Sequence, residues 1–255
     1  MQLFAGARRV LFLHAHPDDE SLWTGGLIAR LTSAGVRVRV VTCTRGERGE
    51  VVPGPLKSLE GTPEFAEHRV GELAAALHEL GAGHPVLLGG PNARAHYRGP
   101  GFVYADSGMQ WGPDGRAAAA PDAPAAALSR NVPWATADAV RAVRRFDPDL
   151  VVSYDRGGGY GHPDHEAAHV IARRAAAAHG VPFVETVDAA APGAVAIDID
   201  LAAKRRALAA HATQLTLTED GYVLSGGQHH ALEPVEHYRL ATADDAPTAA
   251  APTTA

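Results

Sequence analysis

Residues 10–20 carry the sequence VLFLHAHPDDE, and this stretch decides the fold. The short apolar run Val10–Leu13 is bounded by polar residues, which is typical of a buried strand. Residues 16–20, with one histidine and three carboxylates, follow at the C-terminal end of that strand, where open α/β sheets place their active sites. Because carboxylates this close repel one another, a divalent metal ion among them is the simplest explanation.

A second polar cluster lies at residues 160–165, with the sequence YGHPDH. It follows another apolar run, Leu150–Tyr154, through a glycine-rich turn. If the two strands belong to one parallel sheet, both clusters open on the same edge. We therefore predict that His16, Asp19 and His165 form a two-histidine, one-carboxylate metal site with positions left for water. Such open sites are catalytic rather than structural.

Strand and helix patterns alternate through most of the chain. The strand patterns lie at residues 9–13, 36–44, 85–88 and 150–154, and the helix patterns at 19–33, 62–80, 133–146 and 163–179. This alternation predicts a Rossmann-like, three-layer α/β fold with a mostly parallel sheet and an active site at the C-terminal ends of the strands. We expect one domain over residues 1–241, late strands at the sheet edge after residue 185, and a disordered tail over residues 242–255. Residues 117–132 are expected to form a mobile surface loop.

The composition restricts the expected binding partners and the expected cellular compartment. A net charge of −6 gives no reason to expect nucleic acid or an anionic membrane as a partner. No run approaches the ~18 apolar residues of a membrane span, and the run after Arg9 is too short for a secretory signal, so we expect a cytoplasmic protein. The single cysteine, Cys43, excludes an intrachain disulfide and is expected to be a buried apolar residue. A homo-oligomer is left open.

The two motifs, at residues 16–20 and 161–165, resemble those of the PIG-L/LmbE-like family of metal-dependent sugar N-deacetylases. The resemblance also covers blocks at residues 41–50, 69–73, 106–109, 210–214 and 236–238. These later blocks are similar to the actinobacterial branch that deacetylates N-acetylglucosaminyl-inositol in mycothiol biosynthesis, and to its sister branch, the mycothiol S-conjugate amidases. The resemblance implies metal-dependent hydrolysis of the N-acetyl group of a small-molecule amino-sugar glycoside. The implied cofactor is one divalent metal, Zn²⁺ or alternatively Fe²⁺, since the ligand set suits both.

Deacetylation requires an activated water, a polarised carbonyl and a proton for the departing amine. Asp18 is the candidate general base, because it adjoins the predicted ligand Asp19 and can reach metal-bound water without binding the metal. The resemblance implies that His162 is the oxyanion partner, which as an imidazolium stabilises the tetrahedral intermediate or protonates the leaving amine, and that the hydroxyl of Tyr160 assists the stabilisation. Asp164 is expected to hold His162 as an imidazolium, since a neighbouring carboxylate raises the pKa of a histidine.

The resemblance further implies a set of substrate contacts. Glu50, Arg69 and Asp106 match positions at which mycothiol-type deacetylases hold sugar or inositol hydroxyls, with a structural ion pair as the alternative for Arg69. Trp23 stands where those relatives carry a small residue, and we expect it to narrow one flank of the sugar subsite or to stack on a sugar face. The segment 181–200 is shorter than in the mycothiol deacetylases. Both departures leave an amino sugar of another pathway, including an antibiotic one, as an alternative substrate.

Two alternatives of other classes stay open. Residues 165–169 spell HEAAH, the HExxH motif of zincin peptidases, in a predicted helix. That hypothesis leaves Asp18, Asp19 and the glycine-rich turn unexplained. The other alternative is an inactive metal- or sugar-binding module. We expect His14 to be a buried, hydrogen-bonded histidine rather than a fourth ligand.

Overall fold

The computed structural model describes residues 2–95, 102–113 and 117–242. The strands are β1 (Arg9–His14), β2 (Arg37–Thr42), β3 (Val86–Leu87), β4 (Met109–Trp111), β5 (Ala117–Ala119), β6 (Leu150–Tyr154), β7 (Phe183–Thr186), β8 (Val195–Asp198), β9 (Leu215–Leu217), β10 (Gly221–Leu224), β11 (His229–Ala231) and β12 (Val235–Leu240). The helices are α1 (Asp19–Ser33), α2 (Pro63–Glu79), α3 (Val132–Phe146), α4 (Gly158–Gly161), α5 (Pro163–His179) and α6 (Leu201–Ala210).

The central sheet has seven strands in the order β3-β2-β1-β6-β7-β12-β8. The first five of these pair in parallel, and β12 runs antiparallel to both of its neighbours. The predicted α/β fold with a mostly parallel sheet is confirmed. The edge formed by β12 and β8 supplies the late strands expected after residue 185.

The sheet is covered by helices on both faces, and the side chains of β1 pack against both helical layers. Val10 and Phe12 pack into one hydrophobic cluster with residues of α1, α2 and α6. Leu11 and Leu13, which point to the other face, pack with residues of α3 and α5. A strand buried on both faces must be apolar throughout, which is why the run has no polar alternation.

The order of the strands reverses beside β1. From β1 the chain passes through α1 to β2 on one side, and it later places β6 on the other side. Parallel sheets bind ligands in the crevice at such a switch point, beyond the carboxyl ends of the strands. The two polar motifs follow β1 and β6, so both lie at this crevice.

The segment at residues 117–132 differs from the expected mobile loop. It begins with β5, which pairs with β4, and Leu128–Arg130 form a turn of 3₁₀ helix. Ala127 and Leu128 are fully buried, so this segment is anchored by burial that its alanine-rich sequence does not reveal. Apart from Thr242, the predicted tail lies outside the described residues.

Across the described ranges, no helix combines the length and the apolar character that crossing a membrane requires.

Candidate functional site

Asp19 joins the two polar loops. It begins α1 directly after the turn that follows β1. Its Oδ2 atom accepts the backbone N–H of His16 at 2.8 Å and lies 3.4 Å from Nδ1 of that histidine. Its Oδ1 atom lies 3.3 Å from Nε2 of His165, which is in the first turn of α5. The structure thus brings together the three residues predicted as metal ligands.

The second loop orients His165. Tyr154, at the end of β6, stacks on the imidazole with 4.2 Å between ring centroids and 6° between the planes. Nδ1 of His165 lies 3.2 Å from the carbonyl oxygen of Gly158, an arrangement in which Nδ1–H donates and Nε2 keeps its lone pair. A Cβ at Gly158, where φ is +58°, would lie 2.8 Å from Cβ of His165, so this close approach requires glycine.

The Nε2 atom of His165 is buried and faces the Asp19 carboxylate, but it has no hydrogen-bond partner among the described residues, as is also true of Nε2 of His169. Buried polar atoms are nearly always paired, and a buried imidazole lone pair directed at a carboxylate fits a metal ligand.

Asp164 and Ser107 hold the ring of His16 from the other side. Nε2 of His16 lies 3.3 Å from Oδ2 of Asp164. This carboxylate accepts the backbone N–H of Ser107 at 2.8 Å and also accepts its hydroxyl. With Nε2–H donating to Asp164, Nδ1 presents its lone pair on the side of Asp19, as in carboxylate–histidine–metal arrangements.

The electrostatics of the centre favour a cation. Burial lowers the pKa of His16, but neighbouring carboxylates, led by Asp106 and Asp164, outweigh it and raise that pKa well above its ordinary value. Burial raises the pKa of Asp19, yet His165 and His16 hold it well below its usual range. The carboxylates thus stabilise positive charge at the point where a divalent cation would supply it. Two imidazoles and one carboxylate suit zinc or ferrous iron.

Ser107→Ala is expected to weaken metal binding about 10- to 100-fold, because it frees the carboxylate that orients His16. The measurement is a competition titration against a chelator of known affinity. Ser153→Ala is the matched control, since Ser153 is equally buried but donates to the carbonyl oxygen of Leu13. Equal metal affinity in the two variants would show that Ser107 does not orient the ligand.

Asp18 lies beside the centre in strained backbone. Its φ of 114° is rare for a residue other than glycine and costs of order 1–3 kcal/mol unless the surroundings hold it. Its backbone N–H donates to Oε2 of Glu20 at 3.0 Å, and Oε1 of Glu20 lies 2.7 Å from Nε2 of His211. Burial raises the pKa of Asp18 to about 6, against the opposing charge of Arg69. A carboxylate with such a pKa is suited to accept a proton and to return it.

Arg69 is buried and contacts Asp18. Only 2% of its surface is exposed. Its guanidinium donates to the carbonyl oxygens of Pro17 and Gly46 and, at 3.1 Å, to Oδ2 of Asp18. This is the ion pair with a loop carboxylate that the sequence left as the alternative.

Of the other two predicted substrate-binding residues, Asp106 is buried and Glu50 is exposed. Asp106 is buried at the centre, with Oδ1 3.8 Å from Nε2 of His16. Its backbone N–H donates to Glu47 at 2.9 Å, a contact that the sequence analysis did not anticipate. Glu50 lies exposed on the loop after β2.

His162 is arranged differently from the prediction. Its Nδ1 accepts the backbone N–H of Asp164 at 3.1 Å, as a cap of α5, while the carboxylate of Asp164 turns to Ser107 and His16. Burial, together with the nearby His16 and His165, lowers the pKa of His162 to about 2. The expected imidazolium is therefore corrected to a neutral ring with its proton on Nε2. The ligand atoms of His16, His162 and His165 lie within 4.8 Å of one another, so His162 borders the centre.

Two aromatic side chains flank the histidines. Tyr160 is 45% exposed, and its ring centroid lies 5.2 Å from that of His165 and 6.0 Å from that of His162. Trp23, on α1, is partly buried and meets His165 edge-on at 6.3 Å. A Cβ at Gly159 would lie 2.5 Å from the indole, so the glycine-rich turn also makes room for Trp23.

Two further histidines belong to the core. Nε2 of His14 lies 2.9 Å from Oγ1 of Thr24, as expected for a buried, hydrogen-bonded histidine. His169 completes the HExxH motif in α5, but its Nδ1 lies 2.9 Å from the carbonyl oxygen of Tyr154 and 3.6 Å from Glu185.

The two groups of potential metal ligands found in the described part of the chain are His16, His162 and His165, and His16, Asp106 and Asp164, so neither contains Asp19 or His169. Asp19 nevertheless lies 3.4 Å from His16 and 3.3 Å from His165, whereas no contact of His169 with His16 or Asp19 occurs among the described residues. The zincin alternative therefore lacks its second histidine at the centre.

An open histidine–carboxylate centre at the switch point of a parallel sheet defines a metal-dependent hydrolase. The family model described as GlcNAc-PI de-N-acetylase, PIG-L, matches residues 11–176. The chain belongs to this family, and it is a metal-dependent N-deacetylase.

One relative is similar to the chain over nearly its whole length, and two solved structures share its fold. The 1D-myo-inositol 2-acetamido-2-deoxy-alpha-D-glucopyranoside deacetylase of Actinosynnema mirum is 39% identical over 276 residues, which cover 92% of this chain and 92% of that protein. The deacetylase–teicoplanin complex from teicoplanin biosynthesis has a TM-score of 0.61 at 21% identity, covering 91% of this chain and 98% of that chain. The zinc-inhibited form of teicoplanin deacetylase Orf2 has a TM-score of 0.59 at 20% identity, covering 92% and 99%. At these identities, the two structures show the shared fold alone.

Proposed function

We propose that the protein hydrolyses the N-acetyl group of an N-acetylglucosaminyl-inositol, releasing acetate and the free amine. The observation that carries the proposal is the convergence of His16 and His165 on Asp19, with Asp18 beside them. Its support for the substrate is the 39% identity, across nearly the whole chain, to a deacetylase of that substrate from Actinosynnema mirum.

The proposed cofactor is one divalent cation, Zn²⁺ or alternatively Fe²⁺, held by His16, Asp19 and His165. When bound, it lowers the pKa of a water molecule and draws charge from the substrate carbonyl. The unpaired Nε2 of His165 and the orientation of His16 by Asp164 support this ligand set.

Asp18 is proposed as the general base. It takes the proton of the attacking water, and it returns that proton to the amine nitrogen as the C–N bond breaks. Glu20 and Arg69 hold the strained loop, so the carboxylate is in place before substrate binds. Arg69 therefore acts on the substrate through Asp18.

His162 and Tyr160 are proposed to stabilise the developing oxyanion. Because Nδ1 of His162 is occupied by the N–H of Asp164, the ring offers Nε2–H as a neutral hydrogen-bond donor. The hydroxyl of Tyr160, a residue that is 45% exposed, is the second donor. Asp164 serves the reaction by fixing His16 and, through its backbone, His162.

Glu50 and Asp106 are proposed to bind substrate hydroxyls. Exposed Glu50 is available to the distal inositol, whereas buried Asp106 lies close enough to the metal centre to reach the glucosamine ring. Charged oxygens accept from vicinal hydroxyls and so select a polyol.

Trp23→Ser is expected to shift the preference among simple N-acetylglucosamine, N-acetylglucosaminyl-inositol and mycothiol conjugates, because the indole is proposed to bound one flank of the sugar subsite. The measurement is kcat/KM for each compound, with melting temperature determined in parallel. An unchanged preference with a lower melting temperature would show that Trp23 only packs against His165 and Tyr154.

The proposal is tested with an acetate-release screen of the native protein on those three compounds. We expect N-acetylglucosaminyl-inositol to have the highest kcat/KM. Cleavage of a mycothiol S-conjugate without acetate release from any N-acetyl sugar would assign the protein to the amidase branch. Metal binding without hydrolysis of any of the three would favour the inactive binding module.

A further inference from the structure

A cavity of about 380 Å³ lies along β2, and four arginines are among its lining residues. Arg9, Arg37, Arg39 and Arg145 contribute to its wall, together with the ring of Phe146. Arg9 begins β1, whereas the catalytic loop follows the other end of that strand. The lining also includes Val41, which lies opposite Leu13 in β1, so the cavity extends along most of the length of β2. The deacetylation mechanism does not use it.

The four arginines differ in whether they form an ion pair within the described residues. Arg9 pairs with Asp147 at 2.6 Å. Of the carboxylates that the structure describes, none forms an ion pair with Arg37, Arg39 or Arg145. The chain as a whole has a net charge of −6, so this positive cluster is not a general property of its surface.

The strand register brings arginines of the cavity close together, which lowers the stability of the fold. Arg9 is directly opposite Arg37 in the parallel pair of β1 and β2, and like charges in opposite positions destabilise a sheet. Arg39 is opposite Leu11, which is fully buried, and its guanidinium lies 5.3 Å from the ring centroid of Phe146. An aliphatic residue at position 39 would extend the apolar row, so the fold itself does not require arginine there.

We propose that this cavity binds the phosphate group of a small molecule. Guanidinium forks bind phosphate oxygens in pairs, and three unpaired forks around one cavity match a dianion. The volume is in the range of small-molecule sites, and Phe146, whose ring lies under the Arg39 guanidinium, supports that arginine at the cavity wall. Inorganic phosphate and a nucleoside monophosphate share this chemistry. The site stands independently of the proposed deacetylase function.

The test is calorimetric titration of the metal-loaded protein with inorganic phosphate and, separately, with AMP, at constant ionic strength. We expect Arg145→Ala to weaken a saturable site at least about tenfold, and Arg39→Lys to weaken it as well, because lysine lacks the fork. Arg144→Ala is the matched control, since it removes the same charge from the adjacent position of α3 and does not line the cavity. Binding of phosphate at the catalytic metal would survive all three substitutions.

The comparison of AMP with phosphate identifies the source of the phosphate group: tighter AMP binding indicates an organic phosphate, and equal binding indicates the free anion. Absence of any saturable binding that depends on Arg145, for both probes, would overturn the proposal. An equal loss in Arg145→Ala and Arg144→Ala would also overturn it, because it would reveal only the general field of the surface. Acetate release should be unchanged in Arg145→Ala, which keeps this test separate from that of the catalytic site.

Discussion

Asp18→Asn is expected to lower kcat for acetate release roughly 10²- to 10⁴-fold, the usual contribution of a positioned general base. Asparagine has nearly the same shape and can still accept the hydrogen bond from Arg69, but it cannot take a proton from water. The metal content should stay at the native level, because Asp18 is not among the three proposed ligands. The measurements are steady-state kinetics and metal analysis of the same preparation.

Glu166→Gln is the control for that variant. Glu166 is the glutamate of the HExxH motif and lies exposed on α5. Deacetylase chemistry through Asp18 predicts near-native activity in Glu166→Gln. Loss of activity in Glu166→Gln with activity retained in Asp18→Asn would reverse the assignment and favour zincin-like chemistry.

Asp19→Ala is expected to abolish both metal binding and activity. Asp19 is the only anionic member of the proposed ligand set, and its two oxygens face the two histidines. Without it, two neutral imidazoles remain to hold a hydrated divalent cation, and a protein-bound water is no longer activated. The measurement is metal content after dialysis, together with acetate release at saturating substrate.

Asp19→Asn separates ligation from folding. The backbone N–H of His16 donates to the Asp19 carboxylate at 2.8 Å, and an asparagine oxygen can preserve that hydrogen bond. A folded Asp19→Asn protein without metal would assign Asp19 to metal binding. Native metal content in this variant would instead move the centre to His16, His162 and His165, whose ligand atoms also cluster.

The sequence was sufficient to predict the fold and to bring the two polar motifs to one edge of the sheet. Apolar runs such as Val10–Leu13 and Leu150–Tyr154 specify buried parallel strands, and the polar residues after them must meet at one edge of the sheet. His16, Asp19 and His165 could therefore be grouped although almost 150 residues separate the first from the last.

The hydrogen bonds that orient the histidines could not be predicted from the sequence. Ser107 binds the carboxylate of Asp164 from a loop without periodicity, 57 positions away in sequence, and no local pattern marks such a contact. The pairing of Asp164 with His162 was inferred from proximity in sequence. At the start of α5, however, the backbone N–H of Asp164 donates to the ring of His162. The carboxylate of Asp164 instead lies beside His16.

The neighbours of Arg39 in the sheet also could not be predicted from the sequence. The alternation of valine and arginine in β2 places Arg37 and Arg39 on one face, as the sequence predicts. Only the strand register shows that Arg37 faces another arginine and that Arg39 borders buried Leu11. Tertiary pairing, and not composition, identifies this cluster as a potential site.

The central claim is that one metal ion held by His16, Asp19 and His165 is required for hydrolysis of the N-acetyl group. The most direct test is anaerobic titration of metal-free protein with Zn²⁺, and in parallel with Fe²⁺, while acetate release from N-acetylglucosaminyl-inositol is measured. The account predicts that activity rises in proportion to bound metal and stops rising at one equivalent per chain, with acetate and free amine formed in equal amounts. Full acetate release by the metal-free protein would contradict it.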